Sequence, residues 1–398
     1  MTLSLYIQKY GGTSVGTLDR IKAVAAHIAS TYRQGHRVVV VVSAMGQQTD
    51  ELLEMALKLS SNPSQREVDM LLTVGERISM SLLSIALNDL NIPTVSLTGS
   101  QSGILTDNNF GNAKINRILG DRVRRGIEDN KLVIVAGFQG MSEDEKEITT
   151  LGRGGSDLTA IALTHSLKAD RCQIYKDVDG VCSADPRLVP TARVIPSMSW
   201  DTLSNLTWYG SGVVHNRGVH LAKKYKIPLE IRSSFNLETH GTLIGSVKPV
   251  EKAVVHALTH RKDLAWLRLD SCDSSKIPEI LSFLFTQGEH PLFIQQNSGD
   301  AGNWVELVMS QHAVIKFERY VKASHDSSSL RVLAQNLTCV TAVGDGFWQE
   351  PKVIEKALQS LGKPTVLVDC KNNVLNMFMQ HGNLEEILGR LHKALIEA

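Results

Sequence analysis

The chain has 398 residues, with 42 basic and 41 acidic side chains and a formal net charge of +1. Charges of both signs are mixed and only 5% of residues are aromatic, which excludes a polyanion-binding surface and with it nucleic acid as a partner. No basic segment precedes a long apolar core at the N-terminus and no run of about 18 apolar residues occurs, so no membrane partner is expected and the chain reads as cytoplasmic.

In chain order, Leu3–Gln8 reads as a strand, Asp19–Tyr32 as a helix and Arg37–Ser43 as a strand, followed by a long mixed region to Asn91. The run Val38 to Val42 has no alternation, the mark of a strand covered on both faces in a parallel sheet. Further strands are expected at Leu132–Ala136, Gln173–Lys176 and Leu229–Arg232, with helices at Ser156–Leu167 and Val213–Tyr225 between them. This pattern predicts an α/β sandwich with ligands at strand ends, in one catalytic domain over residues 1–250.

Two glycine pairs punctuate this half. Gly11 and Gly12, with Thr13 and Ser14, follow the first strand, and Gly154 and Gly155, with Ser156, open a helix. Adjacent glycines let backbone N–H groups approach an anion, and hydroxyls add donors, so both loops are candidates for phosphate. Lys9 can neutralise a transferring phosphoryl group, and Asp157 can fix that lysine or order a metal.

After Pro249 the order strand, helix, strand, strand, helix is written twice. The first copy is Leu264–Leu269, Ile277–Gln287, Pro291–Gln296, Trp304–Met309 and Ala313–Ala323; the second is Cys339–Val343, Lys352–Leu361, Thr365–Cys370, Val374–Met379 and Leu384–Ile396. A duplicated α+β unit poor in catalytic residues suits a regulatory ligand domain or a dimer interface. Five scattered cysteines without a C-x-x-C pair point to reduced, mostly buried thiols, and the histidines read as structural or surface residues, so no protein-built metal site is expected.

Six motifs taken together resemble aspartate kinase: the Lys9–Ser14 loop, Ser43–Gly46, Gly75–Arg77, Gly137–Gly140, Thr150–Asp157, and Asp177–Gly180 through Ala184–Arg187. Their order and spacing match that family from residue 1 to about 245. The resemblance implies an amino-acid-kinase fold, a mostly parallel sheet sandwiched by helices, followed by two ferredoxin-like ACT domains over 254–330 and 331–398. In interleaved ACT pairs, Val254–His260 would belong with the C-terminal half.

The resemblance also implies a reaction, transfer of the ATP γ-phosphoryl group to the β-carboxylate of L-aspartate. That step would open the pathway to lysine, through diaminopimelate, and to threonine and methionine. Lys9 and Asp157 would be catalytic, with Lys9, Gly11, Gly12, Thr13 and Ser14 on the phosphates. Ser43, Thr49, Glu76, Arg153, Gly154, Gly155 and Ser156 would bind aspartate, Arg153 at a carboxylate and Glu76 at the α-ammonium. Lys176, Asp177, Asp179, Cys182, Asp185, Arg187 and Gly212 would lie on the nucleotide side, with Mg²⁺ carried by the phosphates.

Departures from the family pattern fall on that nucleotide side and in the ACT loops. Cys182 stands where an aromatic ring is usual, Gly212 where a lysine is usual, and Asn216 where a proline is usual. The loops Ser271–Pro278 and Gly344–Pro351 lack Pro-Gly, which leaves a lysine or threonine effector open and makes Phe347 and Trp348 candidate anchors of a homodimer. The alternative to an active kinase is a regulatory or pseudokinase partner with a weakened ATP site.

Overall fold

The strand Leu5–Tyr10 lies inside the sheet, paired in parallel with Arg37–Val42 on one side and Arg171–Lys176 on the other. This computed structural model describes residues 4–247, 254–299, 302–324, 329–347, 350–362, 364–371, 373–380 and 382–397. Among them the chain divides into two compact units. The first comprises residues 1–181, 194–207 and 212–248, and the second residues 182–193, 208–211 and 249–398.

The main sheet of the first unit has eight strands among the described residues. Their order is Ser197–Met198, Thr242–Ile244, Leu229–Ser233, Arg171–Lys176, Leu5–Tyr10, Arg37–Val42, Leu132–Ala136 and Thr94–Leu97. All pairings are parallel except that of Leu229–Ser233 with Thr242–Ile244. Val38 to Val42 are all buried, as expected of a run with no polar face. Helices Leu18–Arg33 and Val74–Asp89 cover one face, where Ile28, Leu83 and Leu87 pack on Val40 and Ile134. Thr17 caps the first of these by accepting the Arg20 N–H.

The stretch Gln65–Asp89 is long and apolar enough to cross a membrane by length and composition, yet Leu83 and Leu87 are fully buried in this core. The first strand extends two residues past its sequence-based end, because Lys9 and Tyr10 continue the ladder to Val41 and Val42. The helix expected from Val213 starts instead at Asn216, where the His215 ring accepts the Arg217 N–H as its cap.

A smaller sheet, unforeseen in the sequence, stands in the same unit. Its order is Ile115–Ile118, Ile104–Thr106, Gln139–Ser142 and Ile148–Thr150. Strands of three or four residues are too short for alternation to reveal.

The second unit is built on two 17-residue antiparallel strands, Val254–Asp270 and Ser329–Asp345. Each serves two halves of a six-stranded sheet. Leu264–Asp270 pairs with Gly302–Ser310, and Leu337–Val343 pairs with Val374–Gln380. One core gathers Leu267, Ile280, Leu307 and Phe317, and the other gathers Leu258, Val340, Leu375 and Leu388. Val254–Arg261 thus runs beside Cys339–Asp345 in the latter. Phe347 is fully buried there, which takes its ring out of use as an interface anchor, and Trp348 lies outside the described residues. In the loop after Asp270, the Ser275 N–H is already taken by Asp273 Oδ1 at 2.9 Å.

Candidate active site

Lys9 projects from the first strand and Lys176 ends the neighbouring one, so parallel pairing sets two ammoniums at the same sheet edge. Between them stands Asp157, in the first turn of the helix Gly155–Leu167. Lys9 Nζ lies 2.6 Å from Asp157 Oδ1, and Lys176 Nζ lies 2.9 Å from Oδ2. Lys9 and Asp157 are 3% and 2% exposed. Burial alone would raise the Asp157 pKa, but Lys176 and Lys9 outweigh it and hold the carboxyl far below the usual range. Burial lowers the Lys9 ammonium to about 8 despite Asp157, with Lys176 adding to the fall. The trio carries two positive charges and one negative, so it retains one unit of positive charge for an anion.

Glycine is required at Gly12 and Gly154, where this centre meets its loops. A Cβ on Gly12 would come within 2.9 Å of the Ala44 carbonyl oxygen, so only glycine lets the two loops cross. A Cβ on Gly11 would stand 3.7 Å from Lys9 Nζ, in the space beside the cations. Ser14 is buried and its Oγ accepts from Ser234 Oγ at 2.8 Å, while Thr13 is exposed. Gly154 has φ +70° and its Cα faces His215 so closely that any Cβ would clash with that ring.

Glu76 sits in the first turn of the helix Val74–Asp89 and is 3% exposed. Its Oε1 accepts the Ala44 N–H at 3.0 Å, but Oε2 is buried without a partner. Burial raises this carboxyl to about 7, against the Ala44 N–H and the nearby Lys9 charge. A buried carboxylate oxygen left unpaired is costly unless a ligand cation meets it. Ser43 is half-buried, with its carbonyl oxygen fixed by Ser79 Oγ at 2.7 Å, and Thr49 lies in the first turn of Gln48–Leu59. Ser156 and Gly155 are buried at the helix start, and Arg153 is exposed between Gly152 and Gly154, both at positive φ.

Not every candidate gathers here. Asp177 and Asp179 follow Lys176 and are exposed, and Gly212 is exposed with nothing within 4 Å of the point where a Cβ would stand. Cys182, Asp185 and Arg187 belong to the second unit. There Arg187 donates from Nε and Nη2 to both Asp185 oxygens, at 3.0 and 2.8 Å, which keeps the Asp185 pKa low. The spacing of His256 and His260 would suit a metal on a helix, but both lie on a strand. Among the described residues no group of three ligating side chains forms.

Several supporting residues escaped sequence reasoning. Arg217 donates to Asn112 Oδ1, the Leu151 carbonyl and the Ala113 carbonyl at 2.6 to 2.8 Å, bracing the loop that carries Arg153. Asp69, fully buried, accepts from Thr150 N and Oγ1 at 2.8 and 2.7 Å and from Gly111 N. Arg20 donates to the Ser234 carbonyl and stacks on Phe235. No local motif marks such long-range partners.

The model of the amino acid kinase family matches residues 4–233, more than half of the chain. The chain belongs to the amino acid kinase family. Among relatives of this amino acid kinase, an aspartokinase of Geobacillus stearothermophilus is 49% identical over 253 residues, covering 64% of this chain and 62% of that one. Aspartokinase 2 of Bacillus subtilis is 50% identical over 253 residues, with coverages of 64% and 62%. The chain thus spans somewhat less than two thirds of the length of these curated relatives. Among solved structures, aspartate kinase from Synechocystis is 32% identical with TM-score 0.56, covering 98% of this chain and 69% of that one. The structure of E. coli aspartokinase III with aspartate and ADP has TM-score 0.83 at 21% identity, covering 98% and 99%, a likeness of fold.

Proposed function

We propose that this amino acid kinase transfers the γ-phosphoryl group of ATP to the β-carboxylate of L-aspartate, forming 4-phospho-L-aspartate and ADP. The observation that carries the reading is the buried Lys9–Asp157–Lys176 trio beside a glutamate with an unpaired oxygen. Similarity to aspartokinases at 49–50% identity supports the choice of substrate.

The attacking group is a carboxylate, already ionised at neutral pH, so no general base is needed. One β-carboxylate oxygen forms a bond to the γ-phosphorus as the bond from that phosphorus to the β,γ-bridging oxygen breaks, and ADP leaves with the electron pair. Catalysis then consists of alignment and charge stabilisation. Lys9 and Lys176 would neutralise the phosphoryl oxygens, and Asp157 would hold both ammoniums in place. Glu76 would pair with the α-ammonium and Arg153 with a carboxylate, reading the amino acid by both ends.

The space that a Cβ on Gly11 would fill suits the phosphates, which fits ATP. Exposed Asp177 and Asp179 suit a hydrated Mg²⁺ held mainly by nucleotide oxygens, which would supply further charge neutralisation. The contact of Lys9 with Asp157 counts against the pseudokinase alternative.

Residues 1–250 would form the catalytic domain, and 254–330 with 331–398 two interleaved ACT-type units. An amino-acid effector such as lysine, homo-oligomer formation and cytoplasmic residence complete the proposal; a lysine complex is known for E. coli aspartokinase III. Trapping the acyl phosphate with hydroxylamine, in the presence of ATP, Mg²⁺ and L-aspartate, tests the reaction.

A further inference from the structure

Asp69, in the helix Gln65–Leu72 of the first unit, is a fully buried carboxylate met by neutral donors. The Thr150 N–H and hydroxyl reach it at 2.8 and 2.7 Å, and the Gly111 nitrogen lies 3.0 Å from both of its oxygens. Burial raises its pKa against these bonds. An apolar side chain would fill the space without that solvation cost, so what the carboxylate adds is direction. It fixes where two backbone segments sit.

Thr150 stands opposite Gln139 in the ladder between the strands Gln139–Ser142 and Ile148–Thr150. Gln139 is 1% exposed, and its Nε2 donates to the Thr73 carbonyl at 3.0 Å. A carbonyl can only accept, so this partner decides which end of the amide faces Thr73. Asp69 and Thr73 are one helical turn apart, and the Thr73 N–H donates to the Asp69 carbonyl. One rung of the hairpin therefore grips the helical stretch at two points a turn apart, which restrains both its rotation and its slide.

Both held elements lead to the candidate site. Thr73 precedes the helix Val74–Asp89, whose first turn carries Glu76 with its buried, unpaired Oε2. Thr150 opens the run to Asp157 of the ion trio, and its carbonyl accepts the Ala113 N–H at 2.8 Å. Arg217 donates to the carbonyls of Ala113 and Leu151. These two segments are thus held at N–H groups by a carboxylate and at carbonyls by a guanidinium.

We propose that Asp69 and Gln139 are positioning residues for the amino-acid substrate: together they set the spacing between Glu76 and the 152–157 loop. The inference rests on the roles proposed above for Glu76 and the Lys9–Asp157–Lys176 trio. With the α-ammonium on Glu76 and the phosphoryl group at the trio, that spacing suits one length of side chain. L-Glutamate, longer by one CH₂, would carry its carboxylate out of line.

The test uses the full chain with Thr150→Val, Thr150→Ser and Asp69→Asn. The hydroxylamine assay gives kcat/KM for L-aspartate and L-glutamate, titration calorimetry gives ATP affinity with Mg²⁺, and thermal unfolding reports the fold. Thr150→Val removes the hydroxyl at nearly unchanged shape. It and Asp69→Asn should lower kcat/KM for aspartate about tenfold and narrow the preference over glutamate about as much. ATP affinity should stay within about twofold, and Thr150→Ser, which keeps the hydroxyl, should match the native chain. A folded Thr150→Val with native kcat/KM and native preference, or with equal losses on ATP and aspartate, overturns the inference whether or not Asp69→Asn folds. A native chain that makes no hydroxamate overturns the proposed reaction instead. Titration with L-aspartate then decides the positioning role, which stands if Thr150→Val weakens binding about tenfold and falls if it does not.

Discussion

Lys9 and Lys176, on adjacent parallel strands, share a single buried carboxylate, with Asp157 Oδ1 facing one ammonium and Oδ2 the other. Two cations on one anion cost solvation energy that a merely structural core would avoid. The arrangement makes chemical sense when a polyanion completes the charge balance.

The sharing predicts an asymmetry between two substitutions. Lys9→Ala leaves Asp157 paired with Lys176 at 2.9 Å, so the fold should survive while turnover falls by at least about a thousandfold. Asp157→Ala leaves buried Lys9 without its counter-charge and should destabilise the chain by about 3–5 kcal/mol as well. Thermal unfolding set beside the hydroxylamine assay checks this. Equal loss of stability in the two variants would refute the sharing.

Glu76 predicts a pH dependence of its own. Its carboxyl titrates near 7 in the free protein, and an α-ammonium would bind the ionised form. Aspartate KM should therefore rise about fivefold from pH 7 to pH 6, and Glu76→Gln should bind weakly with no such slope. The stability effect has the opposite sense. The folded pKa is raised from 4.5, so the free protein holds this proton more tightly than the unfolded chain does. This group's penalty is absent below pH 4.5 and complete above pH 7. Glu76→Gln should accordingly stabilise the unliganded protein at pH 8 by a few kcal/mol, on the order of 1–3, and not at pH 4.

Lys9 sets the alkaline side. With its ammonium near pH 8, nucleotide affinity in the free enzyme should fall as pH rises through 8 and the positive charge is lost. ATP titrations between pH 7 and 9.5 would show it, and an affinity flat across that range would contradict the phosphate role of Lys9.

At Gly212 a Cβ would have nothing within 4 Å, so a side chain can start there without a clash, as in Gly212→Lys. The resemblance puts Gly212 on the nucleotide side, and on that reading the added cation should tighten ATP binding about tenfold, with aspartate KM unchanged. No gain in ATP affinity would place Gly212 away from the phosphates.

The fold and the centre of the site were legible where local chemistry is dense. The Val38–Val42 run announced a strand buried on both faces, and paired glycines beside Lys9 and Asp157 marked the loops that now flank one ion trio. Partners fixed only by tertiary structure were not legible: Arg217 reaches back about a hundred residues to Asn112, and Asp69 ties Thr150 to Gly111. The four-stranded sheet was missed because its strands are too short to show a period. The sequence reads Val254–Asp270 as two pieces, Val254–His260 and Leu264–Leu269, and shows only Cys339–Val343 of Ser329–Asp345, since register shifts at 255–257 and 261–267 break up the pairing of the two 17-residue strands.

Acyl-phosphate formation by the purified chain with ATP and Mg²⁺, comparing L-aspartate with L-glutamate and including Lys9→Ala, tests the proposed reaction and the role of Lys9 together. Hydroxamate is expected from aspartate, little from glutamate and none from the folded Lys9→Ala variant. A folded native chain that makes no hydroxamate from aspartate, or a Lys9→Ala variant that makes as much as the native chain, would contradict the proposal.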